Sequence, residues 1–227
     1  MEIDIQKEFG SNLDKIWSDF TRACAGTSIN TSLPPAIVSH IEKNCDVLFI
    51  GMNPSVVAAQ QQPKYYCPCT ITIDYFKQLS KFCKEISLNS WGYLDMYPIR
   101  HTIQSDVVGI STKKRRSVPF WGGLEKLSKA IICEVNPKLI VVLNAAARDV
   151  FCRIYGLTTA SVCYNNVDPV TGCFMVPICI ERNKQIPVIF SGMLSGQRAL
   201  DVGSRVSLQW HIDKVLHPIS CVPSLTR

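Results

Sequence analysis

The sequence predicts an α/β protein, a three-layer α/β/α sandwich with a central parallel sheet of about four strands. Short apolar runs rich in β-branched residues, each bounded by turn residues, recur along the chain and are typical of buried strands. Helical patterns separate these runs, and strands that alternate with helices form a parallel sheet covered on both faces. The predicted core strands are residues 46–50, 92–96, 139–143 and 187–190.

Residues 1–44 are predicted to form a helical extension that packs on the core. Apolar residues recur at helical spacing over residues 3–24, which indicates an amphipathic helix. A loop rich in Ser, Thr, Asn and Pro follows at residues 27–35, and a short helical turn is expected at about residues 37–41.

Residues 45–216 are predicted to form the α/β domain, and residues 217–227 an irregular tail. The dipeptide Asn136-Pro137 ends one helix, and Asn144 can cap the next. The helical patterns cover about residues 72–87, 121–134, 145–155 and 198–215.

Two longer segments have no regular pattern of apolar residues. Residues 103–118 are expected to be a loop, which ends in the basic run Lys113-Lys114-Arg115-Arg116. Residues 158–180 are expected to be an irregular hairpin insertion, because Asp168-Pro169 and Thr171-Gly172 are turn signals.

Composition limits the function without naming it. The chain has 227 residues, 47% of them hydrophobic and 19% charged, which fits one globular domain and excludes wholesale disorder. Its formal net charge of +6 permits an anionic partner such as nucleic acid. The first eight residues are acidic and lack an apolar core, and no run approaches the roughly 20 apolar residues that span a bilayer. We therefore expect an intracellular monomer without membrane contact, in the cytoplasm of a prokaryote or the nucleus of a eukaryote.

Eleven cysteines are scattered along the chain, several of them in apolar runs, which is typical of buried free thiols in a reducing compartment. Cys67-Pro68-Cys69 is the one close pair, and no second pair has the spacing of a zinc or iron–sulfur site. The four histidines form no ligand pattern. No metal or cofactor is expected.

The first core strand ends in a stretch that presents a polar side chain. Gly51 permits a sharp exit from the strand, and Pro54 holds Asn53 away from the α region. The carboxamide of Asn53 then lies at the carboxyl end of a strand, where open α/β sheets bind ligands. An ordinary Asx-Pro turn is the alternative interpretation.

The strand ends together resemble the uracil-DNA glycosylase superfamily. Gly51-Met52-Asn53-Pro54 is similar to that superfamily's first motif in its asparagine form, as in the mismatch-specific and single-strand-selective branches. Ser191-Gly192-Met193-Leu194-Ser195 is similar to the second motif, and the resemblance covers roughly residues 45–215. It implies a monofunctional DNA glycosylase that flips a nucleotide out of the helix and hydrolyses the N-glycosidic bond of uracil or a related damaged base, in base excision repair.

The resemblance assigns roles to residues after the first motif. Asn53 would position water against the sugar. An aromatic residue that stacks on the flipped base lies about a dozen residues past the motif, where Tyr65 and Tyr66 stand, with Tyr66 slightly favoured. A surface Tyr pair on a loop is the alternative. The base pocket implied in this way comprises Gly51, Met52, Ser55, Tyr65, Tyr66 and Asp95.

Two pocket positions depart from the strict uracil enzymes. Ser55 stands where those enzymes carry a bulky tyrosine, which predicts a pocket tolerant of 5-substituted pyrimidines. Asp95 stands where a base-reading asparagine is usual. An ionised carboxylate would repel uracil O4, whereas a protonated one imitates the amide. The alternatives are a different base preference, a register in which Tyr97 is the pocket residue, or a structural role for Asp95 as a cap or as an ion-pair partner of Arg100.

The second motif is expected to contact DNA through Ser191, Gly192, Met193, Leu194 and Ser195. Leu194 resembles the residue that wedges into the gap left by the flipped nucleotide, and the serines can donate to phosphates. Arg198 is a further phosphate candidate, while the run at 113–116 is as easily a solvated loop. The histidine of the strict uracil enzymes is absent here, so a slow enzyme is expected. A Gly/Ser turn that opens a helix is the alternative interpretation.

Two other functions remain open on the sequence. A catalytically weak or inactive nucleic-acid-binding relative would keep the fold and the pocket but not turnover. A small α/β protein that binds nucleotides or metabolites at the same sheet edge would share neither DNA binding nor catalysis. Salt-sensitive DNA binding without base release would favour the first of these, and no DNA binding the second.

Overall fold

The structure is a computed structural model, and it describes residues 1–55, 63–70, 73–114, 117–158, 175–181, 184–195 and 199–218. In chain order the described elements are β1 (Glu2–Asp4), α1 (Ile5–Trp17), α2 (Phe20–Cys24), β2 (Ile37–Val38), β3 (His40–Glu42), β4 (Val47–Gly51), β5 (Tyr65–Tyr66), α3 (Asp74–Glu85), β6 (Trp91–Asp95), α4 (Gln104–Lys114), α5 (Pro119–Val135), β7 (Leu139–Leu143), α6 (Ala145–Tyr155), β8 (Met175–Glu181), β9 (Lys184–Ser191) and α7 (Val202–Leu216).

A five-stranded mixed sheet forms the centre of the fold, in the order β6-β4-β7-β9-β8. The first four strands are parallel, and β8 joins the edge antiparallel to β9. The predicted α/β class is confirmed, as is the parallel set of four strands. The antiparallel fifth strand begins within the predicted insertion at 158–180 and ends one residue beyond it, while residues 159–174 are outside the described part of the chain.

The two central strands are apolar along their whole length because both of their faces are covered. Every residue of β4 and of β7 is buried, as is typical of parallel strands between two helix layers. The register is level at the carboxyl ends, where Gly51 lies opposite Asp95 and Leu143 lies opposite Ser191. Polar residues that follow these four strands therefore meet at one edge of the sheet.

The helices form two groups. Arg205 of α7 donates to Glu85 of α3 at 2.8 Å, and its guanidinium lies over the ring of Phe82. On the other side, Arg153 of α6 lies 3.3 Å from Glu125 of α5. Right-handed crossovers along this strand order place α3 on one face of the sheet and both α5 and α6 on the other.

The N-terminal segment differs from the prediction in two places. Instead of one helix over 3–24, α1 ends at Trp17, and α2 begins at Phe20 after a turn. The helical turn predicted at 37–41 is wrong, because β3 pairs with β1 and β2 pairs with β5. These pairings join distant parts of the chain, which local periodicity cannot show. The rings of Trp17 and Phe120 are in edge contact at 5.5 Å, so α1 packs on α5.

The loop predicted at 103–118 is also wrong, since most of it is helix α4. Few apolar side chains mark this helix, and Val107 and Ser111 are its buried residues. Contacts with α6 stabilise it, because Arg153 of that helix donates to the hydroxyls of Ser111 and Thr112. The last helix begins at 202 rather than 198, where Asp201 caps it by accepting from the Ser204 amide.

Candidate functional site

A cavity of about 240 Å³ opens where the carboxyl ends of β4 and β6 meet. It is smaller than the roughly 300–1,000 Å³ of pockets for drug-sized ligands, so it suits one small ring system. Its lining combines the first motif with aromatic side chains and with residues from two other strand ends. The lining residues are Gly51, Met52, Asn53, Pro54, Ser55, Tyr66, Ile73, Tyr75, Phe76, Tyr93, Asp95, Gln104, Asn144, Met193 and Ser195.

The carboxamide of Asn53 is held in one orientation by three backbone carbonyls. The two hydrogens of its Nδ2 are shared among Pro54 O at 3.1 Å, Ile99 O at 3.0 Å and His101 O at 2.6 Å. The residue is 6% exposed, and Oδ1 is buried with no hydrogen-bond partner among the described residues. A buried polar atom without a partner costs about 1–3 kcal/mol, so Oδ1 is an acceptor ready for a ligand or a water molecule.

The segment that orients Asn53 is itself tied to the N-terminal extension. His101 Nε2 lies 3.1 Å from Asp106 Oδ2, and the Ser28 hydroxyl donates to the same carboxylate at 2.7 Å. These two bonds lower the pKa of Asp106. The guanidinium of the adjacent Arg100 donates to Pro34 O at 2.8 Å. Residues 27–35, a loop in the sequence, thus help to fix the position of the Asn53 amide.

Asp95 lies in the cavity wall and is 6% exposed. Its Oδ1 accepts from the Tyr93 hydroxyl at 2.8 Å, and its Oδ2 from the Tyr66 hydroxyl at 3.3 Å. Burial raises the pKa of Asp95 to about 7, and the two hydroxyl bonds act in the opposite direction. The carboxyl therefore changes its charge near neutral pH.

The surroundings of Asp95 exclude two of the alternatives weighed for it, whereas a different base preference stays a prediction. Tyr97 is fully buried away from the cavity and bonds to Arg153 at 2.7 Å and to Glu125 at 3.2 Å, so the register that made Tyr97 the pocket residue is wrong. Arg100 donates to backbone carbonyls, and no ion pair joins it to Asp95 in the described part of the chain. In the register of β6, Asp95 lies opposite Gly51 at the strand end, and this pairing places the Asp95 side chain in the cavity wall.

Four aromatic side chains form a wall around Asp95. Phe76 contacts Tyr93 edge-on at 5.0 Å and lies 5.7 Å from Tyr66, while Tyr75 contacts Tyr93 at 5.7 Å. Burial and the charge of Asp95 raise the pKa of the three tyrosines, which keeps their hydroxyls protonated. Sequence reasoning had no site role for Tyr75, Phe76 or Tyr93. The signal for Tyr93 was available, since it stands two residues before Asp95 and so shares its strand face.

Gly51 is the close-approach position of the site. A Cβ atom built there would overlap the Tyr93 hydroxyl and Asp95 Oδ1, and would lie 2.8 Å from Tyr93 Cζ. The strand therefore needs glycine where β4 passes the Tyr93–Asp95 pair.

The two tyrosines of β5 point in opposite directions, as strand geometry requires. Tyr66 is 4% exposed and lines the cavity, so a surface position is wrong for it. Tyr65 does not line the cavity, and its hydroxyl instead lies against Gly10 of α1. The placement of Tyr65 in the base pocket is therefore wrong.

The second motif contributes fewer residues than expected. Met193 and Ser195 line the cavity, whereas Ser191 and Gly192 border neighbouring surface grooves. Leu194 is 6% exposed and packs in the core, so it does not project as a wedge in this structure. Arg198 lies outside the described residues, as do Arg115 and Arg116. Lys114 donates to Ala25 O at 2.9 Å.

Asn144 has a second role besides the predicted helix cap, because it also lines the cavity. The expected helix cap is confirmed, because its Oδ1 accepts from the Ala147 amide at 2.8 Å. Its backbone adopts a positive φ of 78°. The residue also lines the cavity, which its place after a core strand could have indicated.

Cys67 and Cys69 are free thiols. Within the described ranges, no group of three or more His, Cys, Asp and Glu side chains is arranged to hold a metal ion, and no helix is long and apolar enough to cross a bilayer.

No model of a known protein family matches the chain, and a search of curated proteins gives no significant match.

Proposed function

We propose that the protein is a DNA glycosylase of the uracil-DNA glycosylase superfamily, which hydrolyses the N-glycosidic bond of uracil or a related damaged base in base excision repair. The observation that supports this most is the buried Oδ1 of Asn53, which has no hydrogen-bond partner among the described residues and lies beside a cavity with an aromatic wall. An acceptor at a cavity of this size suits a water molecule next to a single bound base.

Asn53 acts by position rather than by basicity. With Nδ2 bonded to three carbonyls, Oδ1 accepts a hydrogen bond from water and orients the water oxygen toward the sugar carbon C1′. The bond from C1′ to the base nitrogen breaks with its electron pair moving to the base. The water oxygen then bonds to C1′, and its proton compensates the charge of the departing base. A neutral amide is a weak base, so the rate depends on a sugar that already has oxocarbenium character.

The surface around the cavity supports a nucleotide as the ligand. A wider groove of about 870 Å³ adjoins the cavity and shares Ser55, Gln104, Asn144 and Met193 with it. Its lining is partly apolar, and Asp149 is the one charged residue among the described residues that line it. Thr102, Gln104 and Ser105 can donate to a phosphate backbone, while the net charge of +6 favours an anionic partner. A base must leave the stack to enter the cavity, so the proposal includes base flipping.

Base release from oligonucleotides tests the proposal. Uracil would be placed in single strands and opposite G or A, alongside hypoxanthine, xanthine, 5-substituted uracils and N-methylated purines. Asn53→Ala should abolish release, whereas Asn12→Ala, the same change on the exposed face of α1, should leave it intact. Circular dichroism would show that both variants keep the fold.

The other outcomes separate the remaining functions. DNA binding that weakens with salt, without release of any base, would mean a non-catalytic nucleic-acid-binding relative. If the protein neither binds DNA nor releases a base, the function left is that of a nucleotide- or metabolite-binding α/β protein, and the glycosylase proposal would be abandoned.

A further inference from the structure

The cavity contains a carboxyl group, that of Asp95, which has no counter-ion in the part of the chain that the structure describes. Both oxygens of Asp95 accept from tyrosine hydroxyls, and no Lys, Arg or His of the described residues forms an ion pair with it. Arg100, the cation that acts electrostatically on Tyr66, donates to the carbonyls of Pro34, Pro35 and Pro63. A buried carboxylate without a cation is unfavourable, so the carboxyl either takes up a proton or pairs with a ligand that supplies positive charge.

The aromatic wall suits the same kind of ligand. The rings of Tyr66, Tyr75, Phe76 and Tyr93 line the same cavity as the carboxyl, with neighbouring centroids between 5.0 and 5.7 Å apart. Aromatic rings attract cations through their quadrupole, most strongly where water is excluded. Aromatic rings around an acid form the usual arrangement for recognition of a delocalised or quaternary nitrogen cation.

The second motif gives an independent argument from the leaving group. Its described residues, Ser191 to Ser195, hold no charged or imidazole side chain that could stabilise a departing base anion. A base that already has a positive charge needs no such stabilisation. When its glycosidic bond breaks, the electron pair neutralises the base, water adds to C1′, and one proton goes to solvent.

We propose that the base removed at this site is an N-alkylated purine with a fixed positive charge, and that Asp95 selects it. This rests on the glycosylase function proposed above and narrows its substrate. Asp95 pairs with the cationic ring system, Tyr66 and Tyr93 hold the carboxylate by donating to it, and Asn53 positions the water.

The proposal sets the sign of the pH dependence. The titratable and charged groups around Asp95 are Tyr66 on β5, Tyr75 on α3, Tyr93 on β6 and Arg100, and the tyrosines stay neutral because their pKa values are raised. Because the pKa of free Asp95 is about 7, kcat/KM for an alkylated purine should rise with pH up to about 7 and then level. Uracil needs the protonated acid, so its kcat/KM should fall over the same range.

The test measures release of 7-methylguanine and 3-methyladenine from methylated DNA in parallel with release of uracil, each corrected for spontaneous loss without enzyme. The wild-type protein should release the methylpurines roughly tenfold faster or more. Asp95→Asn should lower methylpurine release by at least about that factor while uracil release holds or rises. Asp74→Asn, the same change at an exposed carboxylate of α3, should alter neither.

Three results would overturn the inference. Uracil released faster than methylpurines by the wild-type protein would show that the site does not select a cation. Equal losses for both bases in Asp95→Asn would show that Asp95 does not discriminate between them. A flat or falling wild-type kcat/KM for methylpurines between pH 5.5 and 7 would contradict the charge pairing without any variant. Release of none of the bases tested, including hypoxanthine, xanthine and the 5-substituted uracils, would instead remove the glycosylase function itself.

Discussion

A methyl group added at Gly51 tests the close packing at the centre of the site. In Gly51→Ala the new Cβ overlaps the Tyr93 hydroxyl and Asp95 Oδ1, and it lies 2.8 Å from Tyr93 Cζ. Tyr93 and Asp95 are both 6% exposed and bonded to each other, so neither moves without disturbing the core. The backbone φ at Gly51 is not positive, and the cost is therefore steric.

The expected loss of stability follows from these contacts. Overpacking a core costs about 1–3 kcal/mol, and displacing the Tyr93–Asp95 hydrogen bond adds about 1 kcal/mol. A total of about 2–4 kcal/mol corresponds to a drop in Tm of roughly 4–16 °C for a chain of this size. Gly122→Ala in α5 is the matched control, because a Cβ there meets nothing within 4 Å, and it should stabilise the protein by about 0.5–1 kcal/mol.

Urea unfolding of the wild type, Gly51→Ala, Tyr93→Phe and the double variant isolates the contact between the new methyl group and the Tyr93 hydroxyl. Tyr93→Phe removes the hydroxyl that the new methyl group would overlap, at the cost of one hydrogen bond. In the Gly51→Ala background the same change should therefore cost less, or even stabilise, with a coupling energy of about 1 kcal/mol or more. Additive effects, or a Gly51→Ala protein as stable as the wild type, would refute the packing argument.

Three further perturbations have outcomes fixed by single interactions. Native Asp95 has a pKa of about 7 against 3.8 in the unfolded chain, so the native state binds the proton more tightly. The free energy of unfolding should therefore fall as pH rises from about 4 to about 7, by an amount on the order of 4 kcal/mol. Asp95→Asn should abolish that part of the pH dependence, and equal slopes for the two proteins would contradict the raised pKa. Ser28→Ala removes a bond to Asp106 and loosens the anchor of the Asn53 amide, so kcat for the best base should drop roughly tenfold with KM nearly unchanged. An unaltered kcat would show that the N-terminal loop does not position the amide. Asn144→Ala loses the bond from Oδ1 to the Ala147 amide and leaves alanine at a φ of 78°, so urea unfolding should show a loss of about 1–2 kcal/mol, and an unchanged midpoint would exclude the cap as a stabilising contact.

Several features of the fold were available from the sequence because they depend on neighbours in the chain. The runs at β4 and β7 are apolar at every position, and only a strand covered on both faces needs such a run. The alternation of strands with helices then predicted a parallel sheet, and parallel strands bring their carboxyl ends to the same edge of that sheet. Asn53 and Asp95 were assigned to one site on this ground together with the family resemblance, and both line the cavity.

Other features could not be predicted from the sequence, because the interactions that determine them join residues that are far apart in the chain. Helix α4 has too few apolar residues to be recognised, and it is held by Arg153 from another helix. The strands at 37–42 exist because β1 and β5 pair with them. Leu194, an exposed wedge by resemblance, packs in the core.

By itself, then, the sequence determined the layers, the parallel sheet and the edge at which polar residues collect. Only the tertiary structure decided what that edge can do. Three carbonyls of the chain orient the Asn53 amide so that Oδ1 is left for a ligand, two of them from 46 and 48 residues away. Strand direction placed Tyr66 rather than Tyr65 in the cavity, and the aromatic residues of the cavity come from three separate elements. Burial there raises the pKa of Asp95, against the effect of the two tyrosine hydroxyl bonds. Hydrogen bonding and burial depend on which distant groups meet, and local patterns contain no information about those meetings.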